Sequence, residues 1–146
     1  MTERSALAAG LSVRVPRGLD APAFARHVAQ TWCAGGELPA QQLDDLLVIV
    51  SELTTNATLH GAGQIELRVS VDNGCVFGAV IDQGSGFAGG VRDHGIDEVG
   101  KKGLLIVAAL ADRWGIHEGS SHVWFELASR DEGEPVDREL GATAAG

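Results

Sequence analysis

Two runs of alternating apolar and polar residues, joined by a turn signal, constrain the fold more than any other feature of this sequence. QIELRVSV at 64–71 alternates with a period of two, and CVFGAVID at 75–82 follows it as a more apolar run. The residues between them, DNG at 72–74, are typical of a tight hairpin connection. The chain is therefore predicted to form an antiparallel hairpin with one buried face.

Helical patterns stand on either side of this hairpin, and further strand patterns lie near both ends. Because helices alternate with strand pairs, the pattern favours an α/β two-layer sandwich, in which three helices cover one face of a mixed, mostly antiparallel sheet. The expected elements are a strand at 11–16, a helix at 21–34 capped by Asp20, a helix at 39–61, a helix between Gly103 and Gly115, and a closing hairpin from WGIHEG and SHVWFELA.

Composition limits the classes of partner and the expected location. The formal net charge of −9 argues against nucleic acid, because an acidic surface gains nothing from releasing the counterions of a phosphate backbone. The longest apolar run, LLIVAALA at 104–111, is too short for a membrane span, so no membrane partner is expected. Cys33 and Cys75 form no CxxC pair, which indicates a reducing compartment. With no signal-peptide pattern at the start, we expect a cytoplasmic protein.

The 146 residues are enough for one domain. We expect a flexible N-terminus at 1–10, a folded domain at 11–128 and a disordered tail at 129–146, because that last stretch is charged and rich in Gly and Ala.

The second predicted helix carries an unusual polar stripe. Glu52, Asn56 and His60 are four residues apart, a spacing that stacks them on one helix face. A buried carboxylate or amide costs free energy unless it has a partner. The stripe therefore faces either water or a ligand, although His60 on an apolar helix is better explained as a structural residue.

The sequence IDQGSGF at 81–87 is a second candidate for ligand binding. Asp82 ends a buried strand, and Gly84 and Gly86 let the backbone turn and approach a ligand closely. A carboxylate there can accept a hydrogen bond from the exocyclic amine of adenine. An ordinary strand end with an Asx turn explains the same residues, so both interpretations stay open at this point.

Two other motifs are rejected. GIDEVGKK at 95–102 resembles a phosphate-binding P-loop, but Lys102 stands where a hydroxyl should hold magnesium and no strand precedes Gly95. His117 and His122 have no Cys or carboxylate partner at ligand spacing, so they are assigned to the closing hairpin and not to a metal site.

Taken in order, three motifs resemble the ATP-binding domain shared by DNA gyrase B, sensor histidine kinases and MutL. ELTTNATLH resembles the first motif, DQGSGF the second and KKGLLIVAALADRWG the third. Within that superfamily the chain looks most like the small bacterial anti-sigma-factor serine kinases, and the length has no room for the phospho-accepting domain of a sensor histidine kinase. The resemblance runs from about Leu11 to Leu127 and implies the Bergerat-type ATP-binding fold.

The resemblance implies a role for each matched residue of the first two motifs. Asn56 would be the protein ligand of Mg²⁺, and Glu52 would act as the general base toward a serine of the partner. Asp82 would read the adenine of ATP, while Gly84 and Gly86 shape the base pocket. Phe87, which follows them, is interpreted as a core residue.

The third motif is implied to hold the phosphates. Gly103 would begin the third helix, whose free N–H groups and positive dipole end suit an anion, with Leu104 next to it. Lys101 and Lys102 would add positive charge, although a solvated loop explains these lysines equally well.

The chain departs from the family pattern at two positions. Leu59 replaces a frequent Lys or Arg near the phosphates, and Lys101 replaces the first glycine of Gly-x-Gly. Both changes bear on nucleotide affinity and turnover more than on the fold.

Three hypotheses of function remain. The first is a serine kinase that uses ATP and Mg²⁺ to phosphorylate an anti-anti-sigma protein and sequesters a sigma factor. A second copy of the chain is a further partner that the resemblance implies, since members of the family often form homodimers. The second is an ATP-binding-fold module that works only by protein contact. The third is a generic α/β domain whose motifs are accidental.

Overall fold

The computed structural model describes residues 10–34, 38–84, 98–117 and 121–129. Its elements follow one another in the order β1 (Gly10–Val15), α1 (Ala21–Cys33), α2 (Ala40–His60), β2 (Ile65–Asp72), β3 (Cys75–Ile81), α3 (Glu98–Leu110), β4 (Arg113–Ile116) and β5 (Val123–Leu127).

The five strands form one sheet in the order β1-β2-β3-β5-β4, and each neighbouring pair is antiparallel. The predicted β2–β3 hairpin is confirmed, because Asp72 pairs with Cys75 across a two-residue turn. Asn73 and Gly74 both have positive φ, 54° and 83°, which is the conformation that the Asn-Gly signal predicts. The α/β sandwich is confirmed, and the strands in the described part of the chain include no parallel pair.

Helix α2 lies at the centre of the fold. It packs against β2, β3 and β5 on one side and against both other helices. Its apolar residues, such as Leu46, Ile49 and Leu53, meet the inward-facing side chains of the sheet in one core that includes Leu67 and Phe125. The opposite face of the sheet carries side chains such as Ser12, Arg68 and Phe77, which are exposed. Because both α1 and α3 pack against α2, the polar face of α2 lies within a packed region.

The bounds of the third helix differ from the prediction. Helix α3 begins at Glu98, five residues before Gly103, and ends at Leu110. Glutamate and lysine are good helix formers, and packing of α3 on α2 compensates for the low helix propensity of the glycines. At the other end, the Asp112 N–H donates to the Glu126 carbonyl, so pairing with β5 replaces the helix there.

The remaining predictions about organisation fall partly outside the described residues. Gly10 pairs with Ser70 as the first residue of β1, so the strand begins inside the segment predicted to be flexible. Residues 1–9 and 130–146 lie outside the described part. Asp20 is the N-cap residue of α1, but its side chain makes no capping hydrogen bond. Within the described ranges, no helix combines the length and the apolar character that crossing a membrane requires.

Candidate nucleotide-binding site

Glu52 and Asn56 face α3, and they meet it at Gly103. A Cβ built on Gly103 would lie 3.0 Å from Glu52 Oε1 and 3.4 Å from both amide atoms of Asn56. The four-residue spacing therefore brings both polar groups to one point, as predicted from the sequence. Since a glycine stands opposite them, α3 packs closely against the two side chains, and any other residue at this position would crowd them.

Asn56 has a buried amide with unmet hydrogen-bonding capacity. The residue is 6% exposed, and its Nδ2 has no hydrogen-bond partner within the described part of the chain. Leaving such a group unsatisfied costs about 1–3 kcal/mol. A ligand that bonds to this amide removes the cost, so Asn56 fits a binding site better than a purely structural position.

Asp82 forms the Asx turn of the structural interpretation, and its role as a ligand-reading residue stays a prediction. Its Oδ1 accepts hydrogen bonds from the Gly84 N–H at 2.7 Å and the Ala62 N–H at 3.4 Å, which makes an Asx turn. No hydrogen bond from the described residues reaches Oδ2. One oxygen thus builds the turn while the other remains available to a donor, such as an exocyclic amine.

Two further residues shape the surroundings of Asp82, and no sequence motif predicted a ligand role for either. Gly61, at the end of the helix predicted over 39–61, lies so close that a Cβ would overlap the Asp82 carboxylate. Ser121 is 7% exposed, and its Oγ lies 3.1 Å from a Cβ built on Gly84. The observed strand register explains the position of Ser121, because Val80 pairs with Val123 and the same antiparallel register brings residue 121 opposite Asp82.

The third motif is arranged differently from the prediction. Gly103 is the sixth residue of α3, so its N–H lies within the helix, and the prediction that Gly103 begins the helix is wrong. Lys102 is exposed, as a cation near the site requires. Leu104 is 1% exposed and belongs to the core, which anchors Gly103 against α2.

Several predicted residues lie outside what the structure describes. Gly86 and Phe87 fall in the range 85–97, and the side chain of Lys101 is not described. The cofactor roles of Gly86, Lys101 and Leu104 stay predictions, as do those of the other predicted site residues.

The histidine pair belongs to the closing hairpin, as predicted. The His117 N–H donates to the His122 carbonyl, and the two rings lie 4.2 Å apart between centroids. Burial, followed by the nearby His117, lowers the pKa of His122. In the described ranges no three His, Cys, Asp or Glu residues form a metal-binding group.

The two ends of the site match the two ends of a nucleoside triphosphate. From Glu52 to Gly61 the helix rises by about 13 Å, and Asp82 lies against its C-terminal end. The carboxylate of Asp82 at one end is able to accept a hydrogen bond from a nucleotide base. The other end presents a carboxylate and an amide, whose oxygens suit a hard cation such as Mg²⁺. The residues present therefore fit a nucleotide with its metal.

Comparison with known proteins agrees with this geometry. Residues 16–127 match the family described as the histidine kinase-like ATPase domain. The fold is also that of a crystal structure of the RsbU and RsbW domains of Rv1364c from Mycobacterium tuberculosis, with a TM-score of 0.61 and 22% identity over 83% of this chain. The match covers 32% of that longer chain. No curated protein matches the sequence significantly.

The architecture and the site thus define a kinase-like ATPase fold of the Bergerat type. The chain belongs to the histidine kinase-like ATPase domain family, since the match spans most of its length. The resemblance to the ATP-binding domain that the three motifs indicated is confirmed at this level.

Proposed function

We propose that this protein is an ATP-dependent serine kinase of the anti-sigma type. It transfers the γ-phosphoryl group of ATP to a serine of a small anti-anti-sigma partner, and it sequesters a sigma factor when that partner is absent. Family membership supports an ATP site, and the fold shared with an RsbW-containing chain supports the kind of partner.

The convergence of Glu52 and Asn56 on Gly103 is the observation that carries the proposal. Because Glu52 Oε1 borders the same space as the Asn56 amide, a carboxylate stands next to the group that would hold the metal. Glu52 is half-buried, so a partner's hydroxyl can reach it. A generic α/β domain has no reason to keep a carboxylate, an unsatisfied amide and a glycine at one point.

Each residue has a defined task in the transfer. Asp82 Oδ2 accepts from the base amine and fixes the nucleotide at one end, while Asn56 would hold Mg²⁺ through its side-chain oxygen. Mg²⁺, when bound, neutralises charge on the phosphates. Glu52 takes the proton from the serine hydroxyl as that oxygen bonds to the γ-phosphorus, and the bond to the leaving ADP breaks.

The test uses ATP labelled on the γ-phosphate and the anti-anti-sigma candidate encoded nearest to the gene. Glu52→Gln should keep ATP affinity within about twofold and lower transfer about 10²–10⁴-fold, because only the proton acceptor is lost. Asp44→Asn, an exposed acid on the same helix, is the matched control and should transfer at the wild-type rate. Equal transfer by wild type and Glu52→Gln would remove Glu52 from the mechanism.

A second candidate, a module that binds ATP and acts only by protein contact, has its own supporting observations. Leu59 is 58% exposed on α2 where a cation was expected, and Gly103 lies inside α3. Both features weaken binding of the ATP phosphates. ATP binding without any labelled product, across candidate partners that bind the protein, would favour this module over the kinase.

A further inference from the structure

Arg17 connects the strand β1 region to the end of helix α2. Its Nε–H donates to the Gly63 carbonyl at 3.0 Å, and its Nη1–H donates to the Thr58 carbonyl at 2.7 Å. Thr58 is in the last turn of α2, where carbonyl groups have no partner within the helix. A guanidinium there supplies both a donor and a favourable charge at the negative end of the helix dipole.

The segment that Arg17 holds is the link of residues 61–64, between α2 and β2. On its other side this link is bonded to the Asp82 turn. The Gln83 N–H donates to the Ala62 carbonyl at 2.8 Å, and the Gln64 N–H donates to Gln83 Oε1 at 2.8 Å. The link therefore lies between the guanidinium and the turn that carries the adenine-reading acid.

The position of the link sets the position of the Asp82 carboxylate. Gly61 is in direct contact range of that carboxylate, and the Ala62 N–H donates to its Oδ1. A shift of the link by a few tenths of an ångström must therefore move Asp82 or lose one of these contacts. Hydrogen-bond strength falls steeply with misalignment, so such a shift matters for recognising one amine.

We infer that Arg17 is a positioning residue for base recognition: by bonding to the Gly63 carbonyl of the link 61–64 and to the Thr58 carbonyl of α2, it fixes the link against the helix end and so orients Asp82 toward the exocyclic amine of the nucleotide. The inference rests on the proposed ATP site. It assigns to Arg17 a part in adenine selectivity that a simple structural cap would not have.

The experiment measures a ratio of affinities, because loss of stability alone does not change it. Dissociation constants for ATP and for ITP, which has no exocyclic amine, are determined with Mg²⁺ at a temperature where each variant is fully folded. In wild type the ratio favours ATP. Arg17→Ala should reduce the preference about fivefold, equivalent to one hydrogen bond, while ITP affinity stays within about twofold. Arg17→Lys, which keeps the charge and a hydrogen-bond donor, should retain part of the preference for ATP.

Arg113→Ala is the matched control, because Arg113 is an exposed arginine whose ion pair with Glu126 lies on the other edge strand. It should keep the wild-type ratio. An unchanged ratio in both Arg17 variants would overturn the inference and leave the ATP site intact. If Arg17→Ala does not fold, an unchanged ratio in Arg17→Lys alone overturns it. A wild type that binds neither nucleotide would overturn the proposed function and this inference with it.

Discussion

The carboxylate of Asp82 lies directly against Gly61, so that the acid at the end of β3 and the C-terminal end of α2 meet without a side chain between them. The backbone of Gly61 is extended, with φ −93° and ψ −164°, a conformation open to any residue. Glycine is therefore needed there for space and not for conformation. This contact joins the base-reading end of the site to the helix that carries Glu52 and Asn56.

Gly61→Ala should weaken both folding and nucleotide binding. Its methyl group would overlap the Asp82 carboxylate, and overpacking of this kind costs about 1–3 kcal/mol. We expect a lower melting temperature and a loss of ATP affinity, both measured by thermal unfolding with and without Mg-ATP. Ala23→Ser, which enlarges an exposed alanine of α1, is the control and should behave like wild type. An alanine at 61 that leaves ATP protection unchanged would contradict the described contact.

Gly103→Ala should lower ATP affinity without lowering the stability of the fold. Alanine is favoured over glycine in a helix interior by about 1 kcal/mol, which offsets the close approach of the new Cβ to Glu52 Oε1 at 3.0 Å. The free energy of unfolding should therefore change little or rise. ATP affinity should fall, because the methyl group occupies the space between Glu52 and Asn56. Denaturant unfolding measures the free energy of unfolding, and calorimetric titration measures the ATP affinity. An unchanged ATP affinity would show that the phosphates bind elsewhere.

The stability of the protein should fall as the medium becomes acidic, with a contribution from His122. Burial and His117 lower the pKa of His122 in the folded state, while the unfolded chain has the ordinary value of about 6.5. The unfolded state therefore binds more protons in the window below that value, and stability is lost as the pH falls through it.

His122→Gln should reduce the difference in unfolding free energy between pH 7.5 and pH 5.5, as measured by denaturant unfolding at both values. His27→Gln, on the exposed side of α1, is the matched control and should retain the wild-type difference. A His122→Gln protein with the full wild-type pH dependence would show that this histidine does not contribute.

Local patterns predicted most of the fold. The hairpin at Asn73 and Gly74 follows from backbone conformation that few other residues adopt, and the stripe of Glu52 and Asn56 follows from helix geometry alone. The start of α3 was not predictable in this way. Its first turns contain Gly100 and Gly103, and packing on α2 outweighs their poor propensity.

Contacts between distant segments account for what the sequence analysis missed at the site. Nothing in the sequence around Gly61 or Ser121 indicates that both lie next to Asp82. That proximity depends on the pairing of β3 with β5 and on the path of the link after α2. Arg17 was not predictable for the same reason, since its two hydrogen-bond partners are more than forty residues away along the chain.

The central claim is that one Mg-nucleotide site extends from Asn56 to Asp82, and calorimetric titration of Mg-ATP into wild type, Asn56→Ala and Asp82→Asn tests it most directly. Both variants should bind at least about tenfold more weakly, as expected from losing a charge-assisted contact. Asn56→Ala should unfold with nearly the wild-type free energy, because the amide it removes has an unsatisfied buried donor. Wild-type affinity in both variants, or no heat of binding in wild type, would contradict the claim.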